Sequence, residues 1–162
     1  MEEFIENKTF DEINVGDFAS IHHILSKRDI LLFAIMSGDV NPAHLDEEYA
    51  KSDLFHQIVA HGMWGASLIS TVLGTKLPGP GTIYLSQSLN FLRPVLLGDR
   101  ITAQVTVQEK HPEKSRVILL CSCFNQKDVE VIRGVAEVIA PREKVRRRRV
   151  QLPSLGDVED VF

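Results

Sequence analysis

The chain reads as an α+β domain, an antiparallel sheet with one long apolar helix packed on it. Three observations predict this class. An uncharged segment mixing large apolar with small side chains, His61 to Gly74 (HGMWGASLISTVLG), lies near the middle. Behind it come four extended runs rich in Ile, Val, Thr and Leu, separated by turn chemistry. Ahead of it a helical stretch stops at a loop dense in turn formers, Ser37 to His44 (SGDVNPAH).

The elements follow in order. Glu12 to Asp17 (EINVGD) is a turn leading into a strand from Phe18 to Leu25. Ser26 opens a helix, with Asp29 three residues on where a capping-box acid sits. Apolar residues at 30, 31, 33, 34 and 35 make one broad face expected to be buried, and Gly38 ends the helix. Asp46 to Lys51 has room for one short helical turn. The segment after His61 is apolar on nearly every side, which marks a buried central helix between Gly62 and Gly74. Leu77-Pro78-Gly79-Pro80-Gly81 then switches the chain to extended structure: Thr82 to Leu92, Arg100 to Lys110, Ser115 to Phe124 and Val129 to Ile139. Their breaks (Pro94 with Gly98-Asp99, His111-Pro112, Asn125 to Asp128) are turn formers. From Pro141 the character changes again. Arg142 to Arg149 is basic and Gln151 to Phe162 acidic, so residues 141–162 read as an exposed charged tail or linker beyond a domain at 1–140.

Composition bounds the function. At 162 residues, 44% hydrophobic and 25% charged, the chain has the make-up of a globular protein with a real core. Acidic residues outnumber basic ones, 22 to 18, and only Arg146 to Arg149 forms a basic run, which argues against nucleic acid. The acidic start, Met1 to Glu6, lacks the apolar stretch of a leader, and no apolar run is long enough to cross a bilayer. Cys121 and Cys123, one residue apart, suit neither a disulfide framework nor a zinc site. They read as two buried small apolar residues in a reducing, cytoplasmic setting.

Two places carry chemistry. SGDVNPAH sets Asp39 and His44 five residues apart, stiffened by Pro42, with Asn41 able to tie the loop through its amide. An acid that is ionised at neutral pH beside an imidazole that titrates near it suits proton shuttling on a water. An Asx-turn with an exposed histidine accounts for the same letters. One His and one Asp are too few ligands for a metal. The second place is the helix start His61-Gly62-Met63. Unpaired N–H groups there can polarise a carbonyl oxygen, and Gly62 would admit a close approach; a helix cap explains the glycine equally. Ser70, two turns on, can line a pocket or bond its own backbone. His22, His23, His56 and His111 have no evident partners.

Together these motifs resemble the MaoC-like hydratases, the (R)-specific enoyl-CoA hydratases of hot-dog fold. That pattern is a helix, S-G-D-x-N-P-x-H, an H-G-M helix, P-G-x-G-x-I-Y and strands. FAIMSGDVNPAHLDEEYA, VAHGMWGASLIS and LPGPGTIYLSQSLNFLRPVLLGD supply it in that order. The resemblance implies that a sheet wraps the central helix, that Asp39 and His44 hold the water, and that the Gly62 N–H meets the thioester oxygen. It also implies that Ser70 lines the acyl pocket, that Asn41 holds the loop, and that Met63, with Trp64 and Leu68, lies near the acyl chain. The reaction would add water to a trans-2-enoyl-CoA, giving an (R)-3-hydroxyacyl-CoA without metal or cofactor. Hot-dog sheets imply a homodimer or higher oligomer. The middle of the chain and the EKVRR stretch also resemble the amino-terminal hydratase domain of bifunctional enoyl-CoA hydratase/phosphate acetyltransferase proteins, implying a fused or partner phosphate acyltransferase. A thioesterase, a carrier-protein dehydratase and a non-catalytic acyl-CoA-binding module are the competing readings. Thiol release, carrier preference, or binding without conversion would mark each in turn.

Overall fold

The computed structural model describes residues 3–154. Most of the acidic part of the expected tail, and the first two residues of the acidic start, lie outside the described residues.

Strand β1 (Phe4–Glu6) comes first, and a short 3-10 turn with a Thr9/Glu12 capping box follows. Gly16 and Asp17 make the expected turn, with Asp17 Oδ2 accepting the Asn14 N–H at 2.9 Å. Then come β2 (Phe18–Ile24), α1 (Lys27–Ser37), α2 (Pro42–Leu45), α3 (Glu47–Ser52) and α4 (Gly62–Thr75). The remaining strands are β3 (Ile83–Phe91), β4 (Arg100–His111), β5 (Arg116–Phe124), β6 (Glu130–Ile139) and β7 (Arg146–Arg148). Five of them form one antiparallel sheet in the order β2-β4-β5-β6-β3. That is the wrapped α+β architecture expected.

Alternation builds the core. Ile101, Ala103, Val105 and Val107 on β4, and Val117, Leu119, Cys121 and Cys123 on β5, all point inward at period two. Facing them, α4 presents Trp64, Gly65, Leu68, Ile69, Val72 and Leu73, the 3.6-residue stripe. Full burial of each large member contributes about 1.5–3 kcal/mol. Ser26 caps α1 by accepting the Asp29 N–H, and the Asp29 carboxylate closes the box on the Ser26 N–H at 2.7 Å.

Three expectations change. Helix α4 is not buried all round: Met63, Ser67, Ser70, Thr71 and Gly74 form a bared stripe. On α1 only Ile30 and Ala34 are buried, whereas Leu31 and Ile35 are 53% and 70% exposed. A sheet curving round one side of a helix covers only that side. Nor does the segment from Pro141 to Arg149 run free. Buried Asn7 donates to the carbonyls of Pro80 (3.1 Å) and Glu143 (2.9 Å) and accepts the Val145 N–H (3.0 Å). Beyond it β7 pairs antiparallel with β1, and Arg146 and Arg148 reach Glu6 and Glu3. The acidic strand β1 is therefore the partner of the basic run.

Candidate active site

The loop after α1 is built from short local hydrogen bonds. Gly38 takes the left-handed conformation (φ 75°), which a glycine adopts freely, and its N–H donates to Ala34 O at 2.8 Å. Ser37 Oγ accepts the Asp39 N–H (3.2 Å), Asp39 Oδ1 accepts the Asn41 N–H (3.1 Å), and Asn41 Oδ1 accepts the Ala43 N–H (3.1 Å). The last bond caps α2, where Pro42 occupies the first helical position and needs no donor. The stretch is thus an Asx-turn, and the turn is what carries Asp39 and His44.

His44 is fixed from across the fold. Its Nδ1–H donates to the Val59 carbonyl at 2.7 Å, while the Val59 N–H donates to Ala43 O at 3.4 Å. Next along the chain, the Ala60 N–H donates to Val95 O at 2.8 Å. With the proton placed on Nδ1 by a carbonyl that can only accept, His44 Nε2 keeps its lone pair free.

This same strap delivers His61, which is 2% exposed and stands at the cap of α4. Its Nε2–H donates to the Asp39 backbone carbonyl at 3.0 Å. Its ring stacks on His44 with centroids 3.9 Å apart and a 31° tilt, and Phe33 packs against it at 4.8 Å. One ligand-type atom each from Asp39, His44 and His61 lies within 4.8 Å of the others. By type such a set could hold a transition metal. Yet ring planes this close and this nearly parallel do not converge on one ion at bonding distance, and His61 Nδ1 is closed from solvent. The set suits a hydrogen-bonded water better.

Helix α4 starts one residue later, at Gly62. Its first N–H groups have no carbonyl four residues back to bond, which leaves positive charge density at this end. Gly62, His44 and His61 share the wall of a hollow of about 340 Å³ with Phe91, Arg93 and Ile132. An added Cβ at Gly62 would stand 3.0 Å from Phe91 Cε1, so glycine keeps the helix start open beside that ring. A second hollow, about 570 Å³, lies along the bared stripe of α4 and is lined by Phe33, Met63, Ser67, Ser70, Tyr84 and Leu89. Burial pushes the Tyr84 hydroxyl up to about 12, with Cys121 adding to it, so it stays a protonated donor.

Residues 14–119 match the family model of the MaoC like domain. The chain belongs to the MaoC-like family. The (R)-specific enoyl-CoA hydratase of Rhodospirillum rubrum is 48% identical to this MaoC-like chain over 132 residues, covering 82% of this chain and 91% of that protein. The 3-hydroxybutyryl-CoA dehydratase of Methylorubrum extorquens is 42% identical over 135 residues, with coverage of 83% and 85%. Among solved structures, the unliganded R-hydratase PhaJ1 of Pseudomonas aeruginosa superposes with a TM-score of 0.89 at 44% identity, covering 93% of this chain and 97% of that one. The hot-dog arrangement is common to both.

Set on this MaoC-like fold, the residues singled out from sequence fall into two groups. Asp39 and His44 meet beside the hollow that Gly62 lines, whereas Met63 and Ser70 line the second hollow. Asn41 lines neither hollow: its side-chain oxygen accepts the Ala43 N–H and its backbone N–H donates to the Asp39 carboxylate. The reading from sequence assigns His61 no role, yet it touches both members of the pair. Its one sequence signal is its place directly before Gly62, which is weak on its own. His23 also finds partners: Asp29 at 3.0 Å, and Trp64 edge-on at 5.7 Å.

Proposed function

We propose that this chain hydrates trans-2-enoyl-CoA reversibly to (R)-3-hydroxyacyl-CoA, with Asp39 and His44 holding the water and the Gly62 N–H receiving the thioester oxygen. The observation that carries the reading is the placement of the pair. His44, with a bare imidazole nitrogen, lines a hollow whose wall includes an open helix start, and the Asp39 carboxylate lies within 4.8 Å of the His44 ring. Water adds its oxygen to C3 while its proton passes to the pair, and the π electrons of the double bond move onto the thioester oxygen as an enolate. The N–H groups at the start of α4 stabilise that charge. On collapse of the enolate, C2 takes a proton back from the pair, so the proton lost from water is returned. Neither the donors nor the pair change oxidation state.

The second hollow, with Met63 and Ser70, suits the acyl chain. Arg93, at the first hollow, suits the phosphate-bearing arm of the thioester. A homodimer would cover the bared stripe of α4 and the long β3 edge, where Ile83, Tyr84, Leu85 and Phe91 are 41% to 56% exposed. Free, buried Cys121 and Cys123 accord with a reducing cytoplasm. The EKVRR likeness supports a phosphate acyltransferase as fused domain or partner.

Crotonyl-CoA mixed with the protein tests the reading. Loss of enoyl absorbance with (R)-3-hydroxybutyryl-CoA as product is expected. Release of free CoA, an (S) product, or binding without turnover contradicts it.

A further inference from the structure

We infer that His61 is the positioning residue of this site: its single N–H holds Asp39 through the backbone, and its ring face holds His44. The inference rests on the hydratase reading above.

A carbonyl oxygen accepts and never donates, so the 3.0 Å contact from His61 Nε2 to Asp39 O places the proton of His61 on Nε2. Nδ1 is then a bare acceptor. It is buried, with no hydrogen-bond partner among the described residues. An unsatisfied buried acceptor is rare and works against folding. Were His61 there only to fill the space between Phe33 and His44, an apolar ring would fill it without that cost. What an imidazole adds is the one donor, and that donor goes to the residue carrying the catalytic carboxylate.

The connectivity gives the bond its consequence. Asp39 is held on its side chain by the Asn41 N–H and on its carbonyl by His61, so both ends of the residue are pinned. His44 is held at Nδ1 by Val59 and on its ring face by His61. His61 is itself the residue before Gly62, the proposed oxyanion donor. This side chain therefore ties the water-holding pair to the helix start, beside the backbone strap at Val59. These belong to segments more than fifteen residues apart in the chain, and among the described residues no other side chain bonds both. A displacement near 1 Å in such a geometry lowers turnover by about 100-fold while leaving binding contacts elsewhere in place.

The test compares His61→Gln with His61→Met, side chains of near-equal shape of which only Gln can donate near the Nε2 position, alongside His61→Phe, which keeps a ring and loses the donor. Steady-state kinetics on crotonyl-CoA and melting temperatures are read for each. In His61→Met and His61→Phe, kcat is expected to fall roughly 30- to 100-fold with KM within about threefold, and His61→Gln to recover at least about tenfold of that loss. If Gln and Met turn over equally at comparable melting temperatures, or if the loss sits in KM alone, the positioning role is refuted. Should His61→Phe fail to fold, the Gln and Met pair decides. A wild-type protein inert toward crotonyl-CoA would instead sink the hydratase reading, whatever His61 does.

Discussion

Gly134→Ala should unfold this protein well before the wild type, for a reason that can be worked from one contact. Gly134 lies in β6 between β5 and β3, paired with Cys121 on one side and Leu89 on the other. A Cβ there would stand 1.8 Å from Ser88 O, 2.7 Å from Ser88 C and 3.1 Å from Leu89 Cα. An ordinary contact is about 3.5 Å, so β3 would have to retreat by more than roughly 1.5 Å. That is about a third of the ~4.8 Å strand spacing, enough to break the local ladder, and no rotamer change can relieve a clash with backbone. Losses of this kind lie in the upper tail of single substitutions, about 4 kcal/mol or more. For a chain of this size that is a fall of roughly 8–16 °C in melting temperature. Gly74→Ala is the matched control. It lies exposed in the last turn of α4 with nothing within 4 Å of its added Cβ. The same methyl group should there stabilise by about 0.5–1 kcal/mol through helix propensity, raising the melting temperature by roughly 1–4 °C. Thermal unfolding followed by circular dichroism reads both. A Gly134→Ala protein melting within 2 °C of wild type would refute the close approach of β3 to β6.

Other consequences are open to measurement. Asn7→Ala strips three hydrogen bonds, two that dock residues 143–145 and one to the Pro80 carbonyl, and should destabilise by about 2–3 kcal/mol; limited proteolysis should then cut near Glu143 first. Burial pushes the Cys121 thiol up to about 11 and the Cys123 thiol up to about 12, so neither should react with a disulfide reagent at pH 8 until the protein unfolds. Burial tends to raise the Asp29 carboxyl, but bonds from Ser26 and the neighbouring His23 outweigh it and hold it below the usual aspartate value. The folded value lies under the unfolded one, so this stabilisation is full above about pH 4 and is lost as pH falls through the folded value. Asp29→Asn should flatten the acid limb of stability against pH, and Ser26→Ala should cost about 1 kcal/mol at neutral pH.

Much of the fold could be read from letters because local physics and packing agree there. Ser26 with Asp29, Gly38, and the alternation in β4 and β5 each announce an element that the tertiary structure then uses. The bared stripe of α4 was not legible. Met63, Ser67 and Ser70 are apolar or small, and composition cannot say on which side a curved sheet will lie. The docking of Arg146 to Arg148 was hidden for another reason: its acidic partner is Glu3 to Glu6, some 140 residues away in sequence. At the site, Asp39 and His44 are joined by a turn whose chemistry is local, so the pair could be named. His61 comes to them only through the Val59–Ala60 strap and its contacts to Ala43, His44 and Val95, none of which leaves a mark in sequence.

In the proposed reaction Asp39 and His44 act together on one water. Turnover of crotonyl-CoA by Asp39→Asn and by His44→Ala, each checked for an unchanged melting temperature, tests it most directly. Each substitution is expected to lower kcat by about 100- to 10,000-fold with the fold intact, and the double variant to be scarcely slower than either single one. Near-normal turnover in either single variant would contradict the account.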